Sequence, residues 1–199
     1  MSFLSELVRQ KNELSHTTTR VSTPGGHVFC EEREENGYST CQLRETVPGF
    51  VVDDKPDLVV ADVLPGLLMG SQDVAADLNA LKENSITHIL NVGHASTIQY
   101  PGISYTQVQL LDLPETDLLR SLPQCLALID GVREQGGTVF VHCNAGVSRS
   151  AAVTIAYVMQ DQLIGFQEAY SRLKKLRPAI QPNVGFINQL KLYEKELGM

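Results

Sequence analysis

Residues 138–159 read TVFVHCNAGVSRSAAVTIAYVM. An apolar run stops at His142-Cys143, small or polar residues follow, and an alanine-rich apolar segment opens right after Arg149. The pattern predicts a strand ending at His142 and a helix over 149–160. A loop running straight from a strand into a helix N-terminus meets unpaired N–H groups and the positive end of the helix dipole, which together make an anion site. Four readings compete for Cys143 at the head of that loop: a buried core thiol, half of a disulfide, a metal ligand or a nucleophile.

The rest of the chain weakens two of them. The four cysteines (30, 41, 125, 143) form no C-x-x-C pair and no disulfide framework, and the five histidines form no ligand pattern with them, so no metal is expected. The N-terminus carries scattered charges and no apolar h-region, which points to the reducing cytosol or nucleus and to free thiols. With 16 basic residues against 23 acidic ones, the formal charge of −7 argues against nucleic acid or an anionic membrane as partner. No run has the apolar length of a membrane span.

Two regions differ in texture. Residues 1–56 are polar and Gly-rich, with helical spacing at Phe3, Leu4, Leu7 and Val8 and an acidic run, EEREE, read as a solvated face. This extension is expected to be partly helical or mobile. Residues 57–199 alternate strand and helix patterns. LVVADVLPGLLMGS predicts two strands around a Pro-Gly turn, 73–83 a helix capped by Ser71 or Asp73, and ITHILNVG a buried strand. ISYTQVQLLDL predicts another strand, and 117–135 an amphipathic helix ending at Gly136-Gly137. Helices over 166–176 and 183–197 complete the chain. Alternation of this kind predicts an α/β fold, a mostly parallel sheet with helices on both faces, and ligands beyond the carboxyl ends of the strands. Cys143 lies at such an end.

A thiol there shares the field of the loop amides, which with Arg149 draws its pKa below the free value of ~8.5. The short side chains of Asn144, Ala145, Gly146, Val147 and Ser148 let those amides converge on a tetrahedral oxyanion, and Gly146 accepts φ > 0. The guanidinium of Arg149 binds two phosphate oxygens side by side. Phosphoryl transfer also needs a proton donor; Asp112 in QLLDLPETDLL is preferred, with Glu115 and Asp117 as alternatives. A lone Cys after a strand is ordinarily core, but Gly three residues on and Arg six residues on favour function. His142 is read as structural, hydrogen-bonding near the loop. Cys125 is read as core, a redox pairing with Cys143 being its alternative.

HCNAGVSRSAAV resembles the H-C-x-x-G-x-x-R signature of cysteine-dependent phosphatases, in the form used by dual-specificity protein phosphatases. LLMGSQDVA, THILNVG, LDLPET and RPAIQPNVGFINQL resemble further landmarks of that family in order. The resemblance covers about residues 57–197 and is nearest to small atypical members that regulate stress-activated (JNK-type) MAP kinase pathways. It implies hydrolysis of phosphotyrosine and phosphoserine or phosphothreonine in protein substrates, without a cofactor. Cys143 would carry the phosphoryl group, Arg149 bind its oxygens, and the amides of residues 144–149 cradle it. Asp112 would protonate the leaving oxygen. Ser150 matches a hydroxyl that helps the thiolate depart, a first-turn filler being the plainer reading. Asn183 matches a supporting Asn, and AYVM a segment proposed for substrate contact. Lipid-directed relatives carry Lys within the loop, and this chain does not. An adaptor that binds kinases of such a cascade, with catalysis secondary, is the rival reading.

Overall fold

The computed structural model describes residues 18–22, 28–34, 37–43, 56–93 and 98–198. The chain divides into two compact units, Met1–Lys55 and Pro56–Met199. In the first, β1 (Thr18–Ser22), β2 (Val28–Glu34) and β3 (Gly37–Leu43) form an antiparallel meander. No strand was expected in this segment. Its polar composition reads as loop, but Thr, Val, Phe and Tyr are strand formers and pair here with near neighbours. The acidic run falls partly within β2. The helix expected around Phe3–Val8 lies outside the described residues.

The second unit holds a five-stranded sheet of order β4-β5-β8-β6-β7. Its strands are β4 (Ala61–Leu64), β5 (Leu67–Gly70), β6 (His88–Asn91), β7 (Ser104–Gln107) and β8 (Val139–His142). Only the β4–β5 pair is antiparallel, around the expected Pro65-Gly66 turn; β5–β8, β8–β6 and β6–β7 are parallel. Alternate residues along each strand face opposite sides. Leu67, Met69, Leu90, Val139 and Val141 join the larger core under α3 (Leu122–Glu134), α4 (Arg149–Gln162), α5 (Phe166–Leu176) and α6 (Val184–Glu196). Leu68, Ile89 and Phe140 face a smaller cluster with α1 (Gln72–Ala76) and α2 (Leu78–Glu83). The α/β architecture with helices on both faces is therefore present, and β8 is its buried centre.

Three boundaries differ from the sequence reading. The helix expected over 73–83 is two helices, because Asp77 takes an extended backbone and its carboxylate caps the N–H groups of Asn79 and Ala80. The helix expected from 117 begins at Leu122. Pro123 sits in its first turn, and its ring would clash with a helical carbonyl four residues earlier. The strand expected through Leu113 ends at Gln107: the Val108 N–H still bonds to Asn91 O, and the chain then leaves the sheet toward Asp112.

Candidate active site

His142, the last residue of β8, lies opposite Gly70 on one side and Asn91 on the other, so the following loop rises from the middle of the sheet. Its carbonyls are all drawn outward. Asn144 O accepts from the Gln72 N–H (2.8 Å), Val147 O from the Gln181 N–H (2.8 Å), and Ala145 O and Gly146 O from Arg177 (2.9 Å each). In a trans peptide the carbonyl and the next N–H point in opposite directions. Outward carbonyls at 144–147 therefore turn the N–H groups of residues 145–148 toward the inside of the loop. Gly146 has φ +65°, and a Cβ there would come within 2.4 Å of Gly70 O, so both backbone and space demand glycine. Ser148 is the N-cap of α4, yet its hydroxyl makes no cap bond and donates to Asp112 instead. The first-turn N–H groups are thus left without the side-chain partner that a serine normally supplies there.

Cys143 is 3% exposed at the base of this ring. Burial pushes its thiol up, but the Ser150 hydroxyl, the N–H groups of Ser150 and Val147 and the Arg149 charge outweigh it, and the thiol sits below its ordinary value. The Ser150 Oγ lies 3.2 Å from Sγ. His142 is buried, stacks on Phe140 (5.9 Å between centroids) and meets Cys143 O through Nδ1 at 2.9 Å. Burial holds its pKa down, so a neutral ring donates to that carbonyl. Cys125, by contrast, is fully buried on α3, and burial pushes its thiol up to about 12. Such a thiol forms thiolate poorly and behaves as core.

Arg149 opens α4 at 8% exposure, its Nη1 3.5 Å from Leu110 O and its Nε 3.7 Å from Asp112 Oδ2. Nε is buried and makes no hydrogen bond. Leaving a buried guanidinium donor unmet is costly, and a two-oxygen anion seated in the loop supplies what it lacks. Asp112 comes to the rim from the loop after β7. Its Oδ1 accepts from Ser148 Oγ (2.6 Å) and from Asn183 Nδ2 (2.9 Å). Asn183 also caps α6 through Oδ1 to the Phe186 N–H (2.9 Å). The two alternative carboxyls are placed otherwise: Glu115 is exposed, and Asp117 accepts from the Arg120 N–H (3.0 Å) within its own turn. Cys143, Arg149, Ser150, Asp112, Ser148 and Asn183 are thus brought together.

Three further residues hold this arrangement; all lie in RPAIQPNVGFINQL, within which the sequence reading gave a role to Asn183 alone. Arg177 opens that string, just before Pro178. It is 2% exposed and binds two loop carbonyls, Val59 O (3.0 Å) and Asp57 at once. Gly185 packs against Pro114: a Cβ there would overlap Pro114 O at 1.8 Å. Gln189 accepts from the Leu118 N–H and donates to Thr116 O, both at 2.8 Å. The start of α6 therefore grips the Asp112 loop at three points. Each contact spans some 70 residues of chain, so no local pattern announces it. AYVM is corrected: Ala156, Tyr157, Val158 and Met159 are all buried in α4, with no surface for a substrate.

Arg177→Met is expected to destabilise the fold by about 2–4 kcal/mol, since two loop carbonyls and Asp57 lose a buried charged partner. Urea denaturation measures it, and an unchanged midpoint would contradict the role given to Arg177.

A family model described as the dual specificity phosphatase catalytic domain matches residues 67–196. The chain is 39% identical to mouse (Mus musculus) dual specificity protein phosphatase 19 over 191 residues, 92% of this chain and 86% of that protein. Among solved structures, human tyrosine phosphatase-like serine/threonine/tyrosine-interacting protein superposes with a TM-score of 0.67 at 32% identity, covering 70% of this chain and 98% of that one. A mouse putative dual specificity phosphatase complexed with zinc tungstate gives 0.67 at 33% identity, over 76% of this chain and 94% of that one. No helix among the described residues is long and apolar enough to cross a membrane. A strand-to-helix loop with inward amides, a thiol held below its usual pKa and a guanidinium fork agree with these matches: the chain belongs to the dual-specificity phosphatase family, and its activity is that of a protein phosphatase.

Proposed function

We propose that the protein dephosphorylates tyrosine and serine or threonine through a cysteinyl-phosphate intermediate. The observation that carries this reading is the placement of Cys143 at the base of a loop whose carbonyls face outward, with Ser150 Oγ 3.2 Å from Sγ, which holds the thiol below its ordinary value. In the first step Sγ of Cys143 attacks phosphorus, the P–S bond forms and the bond to the leaving oxygen breaks. Arg149 and the amides of residues 144–149 hold the three remaining oxygens, favouring the charge that develops in the transition state. Asp112 gives the leaving oxygen its proton. Ser148 and Asn183 hydrogen-bond Oδ1, so the proton is carried on Oδ2, which faces the phosphate loop 3.7 Å from Arg149 Nε. In the second step water attacks phosphorus, Asp112 takes the water's proton, and Sγ departs as thiolate with the Ser150 hydroxyl donating to it. Tungstate, present in the related mouse structure, is a tetrahedral oxyanion of the same shape class as the phosphate this loop would hold.

The substrates we assign are phosphoproteins of a stress-activated, JNK-type MAP kinase cascade. Support comes from the resemblance of HCNAGVSRSAAV and LDLPET to small atypical members that regulate such pathways. Two Dictyostelium discoideum relatives named MAP kinase phosphatases with leucine-rich repeats also match at 41% identity, although this chain spans only 20% and 16% of them.

Mixing enzyme with an aryl phosphate and quenching in acid within one turnover should trap phosphate on the Cys143 peptide. Ser150→Ala should raise the trapped fraction several-fold, because the thiolate then leaves unaided. Turnover with no phosphate on Cys143 in either protein would rule the covalent route out.

A further inference from the structure

Beside the phosphate loop the surface opens into a cleft of about 750 Å³, within the range of substrate-sized sites. It shares Asp112, Val147, Ser148 and Asn183 with the candidate active site and continues between α5 and α6, where Tyr170, Lys174, Val184 and Ile187 line it. Tyr170 and Ile187 are half-buried and form an apolar wall, while Val184 is 62% exposed at the opposite lip. Lys174 is the cation among the lining residues, and Asp112 at the phosphate end is the acid. The Lys174 ammonium donates to Ile180 O at 2.6 Å. That bond fixes the position of the charge and uses one of its three donors.

We infer that this cleft receives the polypeptide flanking the phosphorylated residue, and that Lys174 selects an acidic side chain there beside an apolar one. This rests on the phosphatase reading above. Continuity is the first reason: the cleft begins at Asp112, Ser148 and Asn183 on the rim of the phosphate loop, so a chain whose phosphoryl group sits in the loop has a path along it. Charge is the second. The protein as a whole is acidic, with a net charge of −7, yet the cleft away from the phosphate presents a positive group anchored over an apolar wall. A carboxylate takes the donors left on Lys174, while an ammonium on the substrate meets like charge. The bound lysine loses little further freedom, which favours the pairing over an ordinary surface ion pair.

The test uses the full chain, an aryl phosphate, and phosphotyrosine peptides carrying Glu, Ala or Lys at each of two positions on either side of the phosphorylated residue. At one of these positions kcat/KM should be about three- to fivefold higher for Glu than for Lys, the size of a partly screened ion pair. Lys174→Met should bring that ratio near one, and Lys174→Glu should invert it. An inverted preference cannot arise from partial unfolding, which lowers all substrates together. A wild-type protein that cleaves every peptide equally, or variants that keep the wild-type ratio, would overturn the assignment while leaving the phosphatase reading intact. Failure to release phosphate from the aryl ester and from every peptide would instead remove that reading, and this inference with it.

Discussion

Cys143→Ser is expected to lower kcat on an aryl phosphate on the order of 10⁴-fold or more, since the phosphate loop loses the thiolate at its base. The hydroxyl that replaces the thiol is not ionised in the field that serves the thiolate, so the first step loses its nucleophile. Oxyanion binding should survive. The loop is shaped by Gln72, Gln181 and Arg177 acting on its carbonyls, and none of these contacts involves Sγ. Thermal denaturation with and without tungstate separates the two properties: the variant should be inactive yet stabilised by the anion. Retained turnover would mean that Cys143 is a core thiol after all.

Asp112→Asn should reduce kcat by about 10²–10³-fold, the usual worth of a positioned general acid. The amide keeps its shape and still accepts from Ser148 and Asn183 through its oxygen, so substrate binding should change far less than kcat. If the rate is untouched, another donor serves the leaving group. Glu115 and Asp117 would be next to test, although neither meets Ser148 or Asn183 in this structure. The same variant separates the enzyme from the adaptor reading. Phosphoproteins held through the phosphate loop are released by vanadate, whereas a kinase bound as an adaptor's partner stays.

The carboxyls of Asp112 and Asp57 illustrate how unevenly the site was legible. Asp112 stands in a recognisable string after a strand, so its candidacy could be read directly, but two other acids in the same loop could be read as well. Choosing between them required the hydroxyl of Ser148 and the amide of Asn183, which arrive from distant parts of the chain. Asp57 had no reading at all. Its carboxyl is partly buried, which raises its pKa, but hydrogen bonds from Arg177 and the Val59 N–H and the Arg177 charge outweigh that and leave it below its ordinary value. A depressed carboxylate adds stability above its unfolded pKa and loses it as pH falls through the folded one. The stabilisation from the Arg177–Asp57 pair should therefore be lost as pH falls through the lowered pKa of Asp57.

What the amino-acid order determined alone is whatever depends on neighbours in the chain. The periods of 2 and 3.6 placed most strands and helices of residues 57–199, and HCNAGVSR placed thiol, small-residue loop and guanidinium on one strand-to-helix junction. Errors also came from local competition: Asp77 capping a helix, Pro123 starting one, and a polar composition hiding the β1–β3 meander. Tertiary structure decided everything that depends on which polar groups meet across the fold. It turned the loop carbonyls outward onto Gln72, Arg177 and Gln181, seated Asp112 on Ser148 and Asn183, buried AYVM in the core, and laid Lys174 beside the phosphate loop. A buried polar group must find a partner, and where that partner comes from far along the chain, only the folded arrangement names it.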